Sequence, residues 1–390
     1  MQMKRIIFYI IVLMLTSAYT ATANEPKQMT MTKSKSGEVS IWLGGLGTAT
    51  IDWGDGSDTE TITLSDKEDI YIKHSYSGTN VRTITISGEN IIRLDCGSNQ
   101  LTVLDVSNNS ALTVLQCTSN QLTELDVTKN IALTYLNCGN NLLTALNVSE
   151  CTALKTLYCD NNLLMFLDVS KNTALKDLNC ARNQLTNLEV GNIALMALYC
   201  FTNKLTKLDL SKNFALENLY CYSNPLMFID VSKNTALKRL DCSRNLLTSL
   251  DVSANISLRT LNCSNNRLTS LDVSGKPALT HLNCSNNQLT YLDVSNNITF
   301  KYLYCYHNQL STPALNALFE SLHNKTILHN PTVIDDTPGN PKTVYIGGNP
   351  GIDDCNPSIA TEKGWTVRKD LSFFQNYNRL VSVKKNQNNL

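Results

Sequence analysis

The chain has no net charge: 33 Lys and Arg balance 33 Asp and Glu over 390 residues, so nothing draws it over distance to nucleic acid. Histidine is scarce, and His74, His281, His307, His323 and His329 show no metal-ligand spacing. No Gly-x-Ser-x-Gly occurs and no glycine-rich loop opens a helix, which removes the common nucleophile and phosphate-cradle signatures. Long apolar runs are missing too. Ile6 to Leu15 is too short to span a bilayer as a helix, and no later run approaches about 20 apolar residues. The expectation is a protein that is not an enzyme, with no cofactor, no bound metal, no nucleic-acid partner and no membrane span. Lys4 and Arg5 before the Ile6 run, and the small residues closing on Ala21-Thr22-Ala23, predict a secretory signal peptide over 1–23. No cysteine follows the expected cut, so no lipid anchor is expected there, and the tail 370–390 is polar without a wall-anchoring motif.

What the chain has in plenty is cysteine, 13 in all, and eleven of these mark time through residues 89–310. From Cys96 to Cys305 successive gaps are 21 residues, apart from 20 between Cys180 and Cys200. Each copy reads Leu-x-x-Leu-x-Cys-x-x-Asn-x-Leu-x-x-Leu-Asp-Val-Ser-x-Asn-x-x, as in Leu112, Leu115, Cys117, Asn120, Leu122, Leu125, Asp126, Val127 and Asn130. A fixed period of this length predicts a solenoid. Leu115 and Cys117 alternate with Val114, Gln116 and Thr118, so a short strand over 114–118 points the first pair inward and the others to solvent. Stacked at about 4.8 Å, eleven such rungs extend roughly 50 Å.

Cysteines in one register point the same way into a packed core, which suits disulfide geometry poorly, so the ladder is expected to be buried thiols. The asparagine three residues on, from Asn99 to Asn308, is expected to satisfy backbone N–H and C=O groups where the chain turns inward. Cys151 and Lys276 replace the second asparagine of their copies, and those turns are expected to be looser, as is the shortened copy around Gly191. The acidic column Asp105, Asp126, Asp168, Glu189, Asp209, Asp230, Asp251, Asp272 and Asp293 resembles the opening of a calcium loop, but the central Gly and closing Glu are missing. Local hydrogen bonds from Ser or backbone are the expected role.

The phrase resembles the bacterial leucine-rich repeat, and its 21-residue nested form with a cysteine ladder is similar to the internalin J-like family. That resemblance implies a right-handed solenoid with the Leu-x-Cys strands forming a parallel sheet on one face, and a role in adhesion or interaction without catalysis. Residues 24–88 differ: Thr, Ser, Gly and Asp alternate with apolar positions such as Val39, Ile41 and Leu43, which predicts a small antiparallel β domain. Ile51-Asp52-Trp53-Gly54-Asp55-Gly56-Ser57, with His74-Ser75-Tyr76, resembles the PKD-type immunoglobulin-like sandwich of surface proteins. Asp52, Asp55 and Asp58 read first as turn residues and only secondarily as a calcium site.

Outward positions of the Leu-x-Cys strands carry rings that packing does not require. Tyr158, Tyr199, Phe201, Tyr220 and Tyr222 form one group by sequence, and Tyr302, Tyr304 and Tyr306 another, with Tyr135 alone. Such rings serve either as cross-strand pairs or as a ligand-binding surface. Residues 311–369 predict a C-terminal cap: a helix opened by Thr312 and Pro313, then a twelfth strand over 342–348 with Ile346 in the cysteine slot. The functional expectation is a secreted or cell-surface protein that binds a host or bacterial surface protein through this sheet. A glycan ligand at the tyrosines, or a passive spacer, are the alternatives. Cys355 has no visible base beside it and reads as a structural thiol.

Overall fold

The structure, a computed structural model, describes residues 27–34, 36–191, 193–324 and 342–370; the signal-peptide segment 1–23 and nearly all of the tail 370–390 lie outside the described residues. The chain divides into two compact units, Met1–Leu154 and Lys155–Leu390.

The first unit holds β1 (Gln28–Lys33), β2 (Gly37–Leu46), β3 (Thr48–Asp52), β4 (Glu60–Thr63), β5 (Ile70–Tyr76), β6 (Arg82–Ser87), β7 (Asn90–Asp95), β8 (Leu101–Asp105), β9 (Val114–Gln116) and β10 (Tyr135–Asn137). Alternation dictates the pairing: Met29 and Met31 of β1, Val39, Ile41 and Leu43 of β2, and Ile84 and Ile86 of β6 are fully buried between two sheets. One sheet runs β4-β3-β6-β1-β8, all antiparallel. In the other, β2 pairs antiparallel with β5 and β7, and β7 then pairs in parallel with β9, and β9 with β10. The first repeat therefore lends one strand to each sheet of the antiparallel segment, and hydrogen bonding runs unbroken across residue 88.

Asn99 shows how this substitutes for a missing preceding rung. In the next rung Asn120 donates to the carbonyls of Cys117 and of Cys96 one rung back, each at 3.0 Å, and accepts from Leu101 N at 2.9 Å. Asn99 has no rung behind it. Its amide donates to Ser40 O at 2.7 Å and accepts from Ser40 N at 2.9 Å, so β2 stands in for that rung.

The second unit begins with β11 (Thr156–Tyr158), β12 (Phe166–Asp168), β13 (Asp177–Asn179), β14 (Asn187–Glu189), β15 (Ala197–Tyr199) and β16 (Asn218–Tyr220). It continues with β17 (Arg239–Asp241), β18 (Thr260–Asn262), β19 (His281–Asn283) and β20 (Tyr302–Tyr304), then α1 (Thr312–Ser321), β21 (Lys342–Tyr345), α2 (Ser358–Glu362) and β22 (Trp365–Arg368). Strands β11, β13, β15 to β22 follow one another in a parallel sheet in which each leucine faces the next, Leu219 against Leu240 and Leu303 against Val344. The same asparagine device repeats: Asn245 donates to Cys221 O and Cys242 O and accepts from Leu226 N. The expected twelfth strand is β21, with Ile346 buried in the cysteine slot and Asn349 bonded to Cys305 O at 3.0 Å and Ile346 O at 2.7 Å. Helix α1 starts one residue earlier than the Thr312-Pro313 reading, with Ser311 as the cap accepting from Ala314 N, and buries Ala314, Leu315, Leu318 and Phe319. Among the described residues no helix is long and apolar enough to cross a membrane.

The expectation of a looser turn fails at Cys151. Cys151 N donates to Val148 O and Leu154 N to Cys151 O, both at 3.0 Å, the distances found at Asn130. The reason is chemical. The thiol donates to Val127 O at 3.4 Å and Asn130 O at 3.7 Å, the carbonyl pair that an asparagine in this slot serves.

Candidate functional site

All thirteen cysteines are buried, and the eleven of the ladder contribute to the core of their rungs. Burial pushes the Cys200 and Cys305 thiols up to about 12 and holds Cys180 and Cys221 well above the ordinary thiol value. No nucleophile stands ready among them. The acidic column behaves as turn chemistry: Asp105, Asp168, Asp209, Asp230, Asp251, Asp272 and Asp293 each accept the backbone N–H two residues on at 2.8 to 2.9 Å. Asp126 also takes the Thr128 hydroxyl at 2.7 Å.

Near the N-terminus, Asp52 accepts from Gly54 N at 2.9 Å, and Asp55 accepts from Ser57 N and Oγ and meets His74 Nε2 at 2.7 Å. These hydrogen bonds, the Ser57 hydroxyl first, hold the Asp55 carboxyl far below the usual range. His74 stacks on Trp53 at 4.7 Å, and Tyr76 donates to Trp53 O at 2.7 Å. Gly54, at φ 71°, lies where a Cβ would meet Thr83 O at 2.2 Å. The motif is thus a packed corner built from its own residues.

Outward positions remain. Tyr199 on β15 and Tyr220 on β16 stack at 5.0 Å with 6° between planes, and Phe201 stacks on Tyr222 at 4.4 Å and 6°. The four rings form two parallel columns, half-buried side by side. Arg182 stands 6.0 Å over the Phe201 ring, Arg239 follows Asn218 in register, and Asp241 follows Tyr220. Burial raises the Tyr199 and Tyr222 phenols above their usual value, with Tyr220 adding to the first and Asp241 to the second, so both remain protonated donors at neutral pH. Tyr158 is not in this cluster: Asn179 of β13 lies between it and Tyr199 in register.

Tyr302, Tyr304 and Tyr306 share the sheet surface farther along, where Tyr304 stacks on Tyr345 at 4.7 Å and Tyr302 meets His281 at 5.0 Å. Tyr345 was readable from sequence, since placing Ile346 in the cysteine slot puts it in the Tyr304 column. The two aromatic groups are separated by β17, β18 and β19. On these strands Asp241, Asn262 and Asn283 are half-buried and Ser243, Ser264 and Ser285 are buried; Asn262 donates to Asp241 at 3.0 Å, and the Ser264 and Ser285 hydroxyls donate to Asn262 and Asn283 at 2.8 and 2.6 Å.

One feature of every rung escaped sequence reasoning. The residue before each ladder asparagine sits in the left-handed region, including Ser119 at φ 58°, Arg182 at 54°, Arg244 at 53° and His307 at 51°. These are Ser, Asn, Arg, Thr and His by turns, so no residue type announces the turn. Its effect on the site is to aim Arg182 across Phe201.

A leucine-rich repeat family model, "Leucine Rich repeats (2 copies)", matches residues 256–299. No curated protein matches the chain. Among solved structures, the functional domain of InlJ from Listeria monocytogenes, which includes a cysteine ladder, is 34% identical with a TM-score of 0.53; the likeness covers 73% of this chain and 55% of that one. The chain thus spans about half of that relative. A leucine-rich repeat protein of Leptospira interrogans is similar in fold, at 22% identity and TM-score 0.59 over 70% of this chain and 71% of that one. So is the internalin inlF of Listeria monocytogenes, at 21% identity and TM-score 0.55 over 66% and 74%. With its 21-residue rung, buried cysteine ladder and bridging asparagines, the chain belongs to the leucine-rich repeat proteins, in the cysteine-ladder form that InlJ also has.

Proposed function

We propose that this protein is an exported binding protein whose partner, a protein on a host or bacterial surface, docks on the solvent side of the Leu-x-Cys sheet around Tyr199, Phe201, Tyr220 and Tyr222. The leucine-rich repeat fold is a scaffold for protein interaction, and its internalin-like relatives support that class of function. The observation that supports this location is the double ring stack. Inward positions are committed to Leu and Cys, whereas these rings stand on adjoining strands, already ordered against each other, so little entropy is lost on docking. Arg182, Arg239 and Asp241 at the margin supply charge-assisted hydrogen bonds to a polar rim. Secretion rests on the 1–23 segment, adhesion on the resemblance, and the PKD-like role of 24–88 on its Trp53-His74-Tyr76 corner.

Replacing all four rings by serine leaves the melting temperature nearly unchanged and weakens partner binding at least about tenfold, if each central ring contributes on the order of 1 to 2 kcal/mol. A host-protein pull-down followed by titration of the captured partner measures this. Unchanged affinity in the folded variant moves the site to Tyr302, Tyr304 and Tyr306. A glycan array that is positive where the pull-down is empty replaces the protein ligand with a carbohydrate.

A further inference from the structure

The zero net charge hides a local segregation. At the position after the first leucine of each rung, six of nine consecutive rungs carry a cation: Lys155, Lys176, Lys238, Arg259, Lys301 and, on β21, Lys342. The other three carry Met196, Glu217 and Thr280. Backbone hydrogen bonds set these residues one above another along the margin of the parallel sheet. Lys176 N donates to Lys155 O, Lys238 N to Glu217 O, Arg259 N to Lys238 O and Lys301 N to Thr280 O, each at 2.8 Å. Nine rungs make a row roughly 38 Å long at the usual strand spacing.

Little acid offsets the row. Glu217 is tied to Lys238 at 2.8 Å, and the next position along the rungs adds Arg239 and one carboxylate, Asp177. Lys155, Lys176 and Arg259 are exposed, and their side chains make no hydrogen bond or ion pair among the described residues. The fold gains nothing from this arrangement, because like charges on paired strands repel. Rungs about 4.8 Å apart also lie inside the ~8 Å screening length of physiological salt, so the potentials of neighbouring cations add. Elsewhere the chain avoids this: Lys171, Lys212 and Lys233 each stand three residues after an acid, Asp168, Asp209 and Asp230.

We propose that this margin binds a linear acidic polysaccharide, a chain of uronate or sulfated sugars laid along the stacking direction, at a site separate from the aromatic surface assigned to a protein partner. Charge complementarity carries the assignment: carboxylates or sulfates can recur at every sugar, close to one rung apart, and each accepts charge-assisted hydrogen bonds from Lys or Arg. An acidic peptide fits less well, since an extended chain returns a side chain to the same face only every ~6.6 Å, out of step with the rungs. Single-stranded nucleic acid uses aromatic faces as stacking platforms beside its basic groove. Here Tyr199 and Tyr220, and Tyr304 and Tyr345, already stack at 5.0 and 4.7 Å, which leaves no room for a base between them. The row is one or two side chains wide, which suits an extended polymer better than the breadth of a bilayer surface.

Fluorescence anisotropy of labelled polygalacturonate and labelled heparin, titrated with the full chain at low and high salt, tests the proposal. The expected result is binding of both polymers at low salt, weakened by added salt, with no binding of neutral dextran. A variant carrying Lys155→Gln, Lys176→Gln and Arg259→Gln should keep its melting temperature and bind at least about tenfold more weakly. The charge-matched variant Lys171→Gln, Lys212→Gln and Lys233→Gln should bind as the wild type does, and so should the chain with its four stacked rings replaced by serine. Absence of binding to either polymer at low salt overturns the proposal, as does a row variant that binds undiminished. Equal weakening in the charge-matched variant reduces the effect to overall charge and also overturns it, and loss of binding in the serine variant removes the separate site. Tighter binding of oligothymidylate, polyglutamate or phosphatidylglycerol vesicles overturns it in favour of that partner.

Discussion

At the scale of single residues, Cys180 and Asn245 test what a rung is made of. Cys180 is a small apolar side chain whose thiol burial holds protonated, so its replacement by serine changes little in volume but buries a hydroxyl short of partners, at about 1–3 kcal/mol. Asn245 binds four backbone groups in two rungs, and Asn245→Ala leaves Cys221 O, Cys242 O, Ser243 O and Leu226 N to find other partners. Its cost should be the larger, about 3 kcal/mol or more. Urea unfolding of the two variants measures both, and a Cys180→Ser variant less stable than Asn245→Ala would reverse the assignment of roles. The same burial predicts that a thiol reagent titrates few cysteines in the native protein and nearly all after denaturation.

Among the elements, the C-terminal cap carries a pH dependence of its own. His323 follows α1, accepts from Lys342 Nζ of β21 at 2.6 Å, and packs edge-on against Trp365 of β22, whose indole donates to His323 O at 3.0 Å. Burial, and then the Lys342 charge, lower this imidazole from 6.5 to about 4. Between those values the unfolded chain takes up a proton that the folded one does not. The cap is therefore at full stability above pH 6.5, loses stability as the pH falls toward about 4, and loses no more from this group below that. Because the ring is only half-buried, about 1 kcal/mol is expected after solvent screening. Thermal melts of the wild type and of His323→Gln between pH 7 and 4 should differ in slope; parallel curves would remove His323 from the account. The helix and the twelfth strand were legible from Leu315, Leu318, Phe319, Val344 and Ile346. The Lys342-His323-Trp365 contact was not, because it joins three segments that share no period.

Over the whole molecule, the acidic column repeats one turn many times, and its carboxylates are already engaged. Hydrogen bonds from Ser and Thr hold Asp126, Asp209 and Asp272 below the ordinary carboxylate value of 3.8, so their contribution is present above that pH and fades as the pH falls further. Calcium or a chelator should then leave the melting temperature nearly unchanged, since a cation held by the native state alone would raise it by mass action. A chelator-induced fall of many degrees would make the column a metal site. The period, the inward Leu and Cys, the bridging asparagine and the candidate rings were all readable in advance. A rung needs only its two neighbours, and the sequence states that nearest-neighbour rule eleven times. What only tertiary structure decided lies where the rule is broken. Ser40 takes the place of a missing rung for Asn99, Asn179 parts Tyr158 from Tyr199, and a thiol at Cys151 does the work of an amide. A left-handed turn before each ladder asparagine aims Arg182 over Phe201. Each depends on hydrogen-bond geometry or on register between residues that share no repeated pattern, and a one-dimensional string does not record which backbone group is left over to be satisfied.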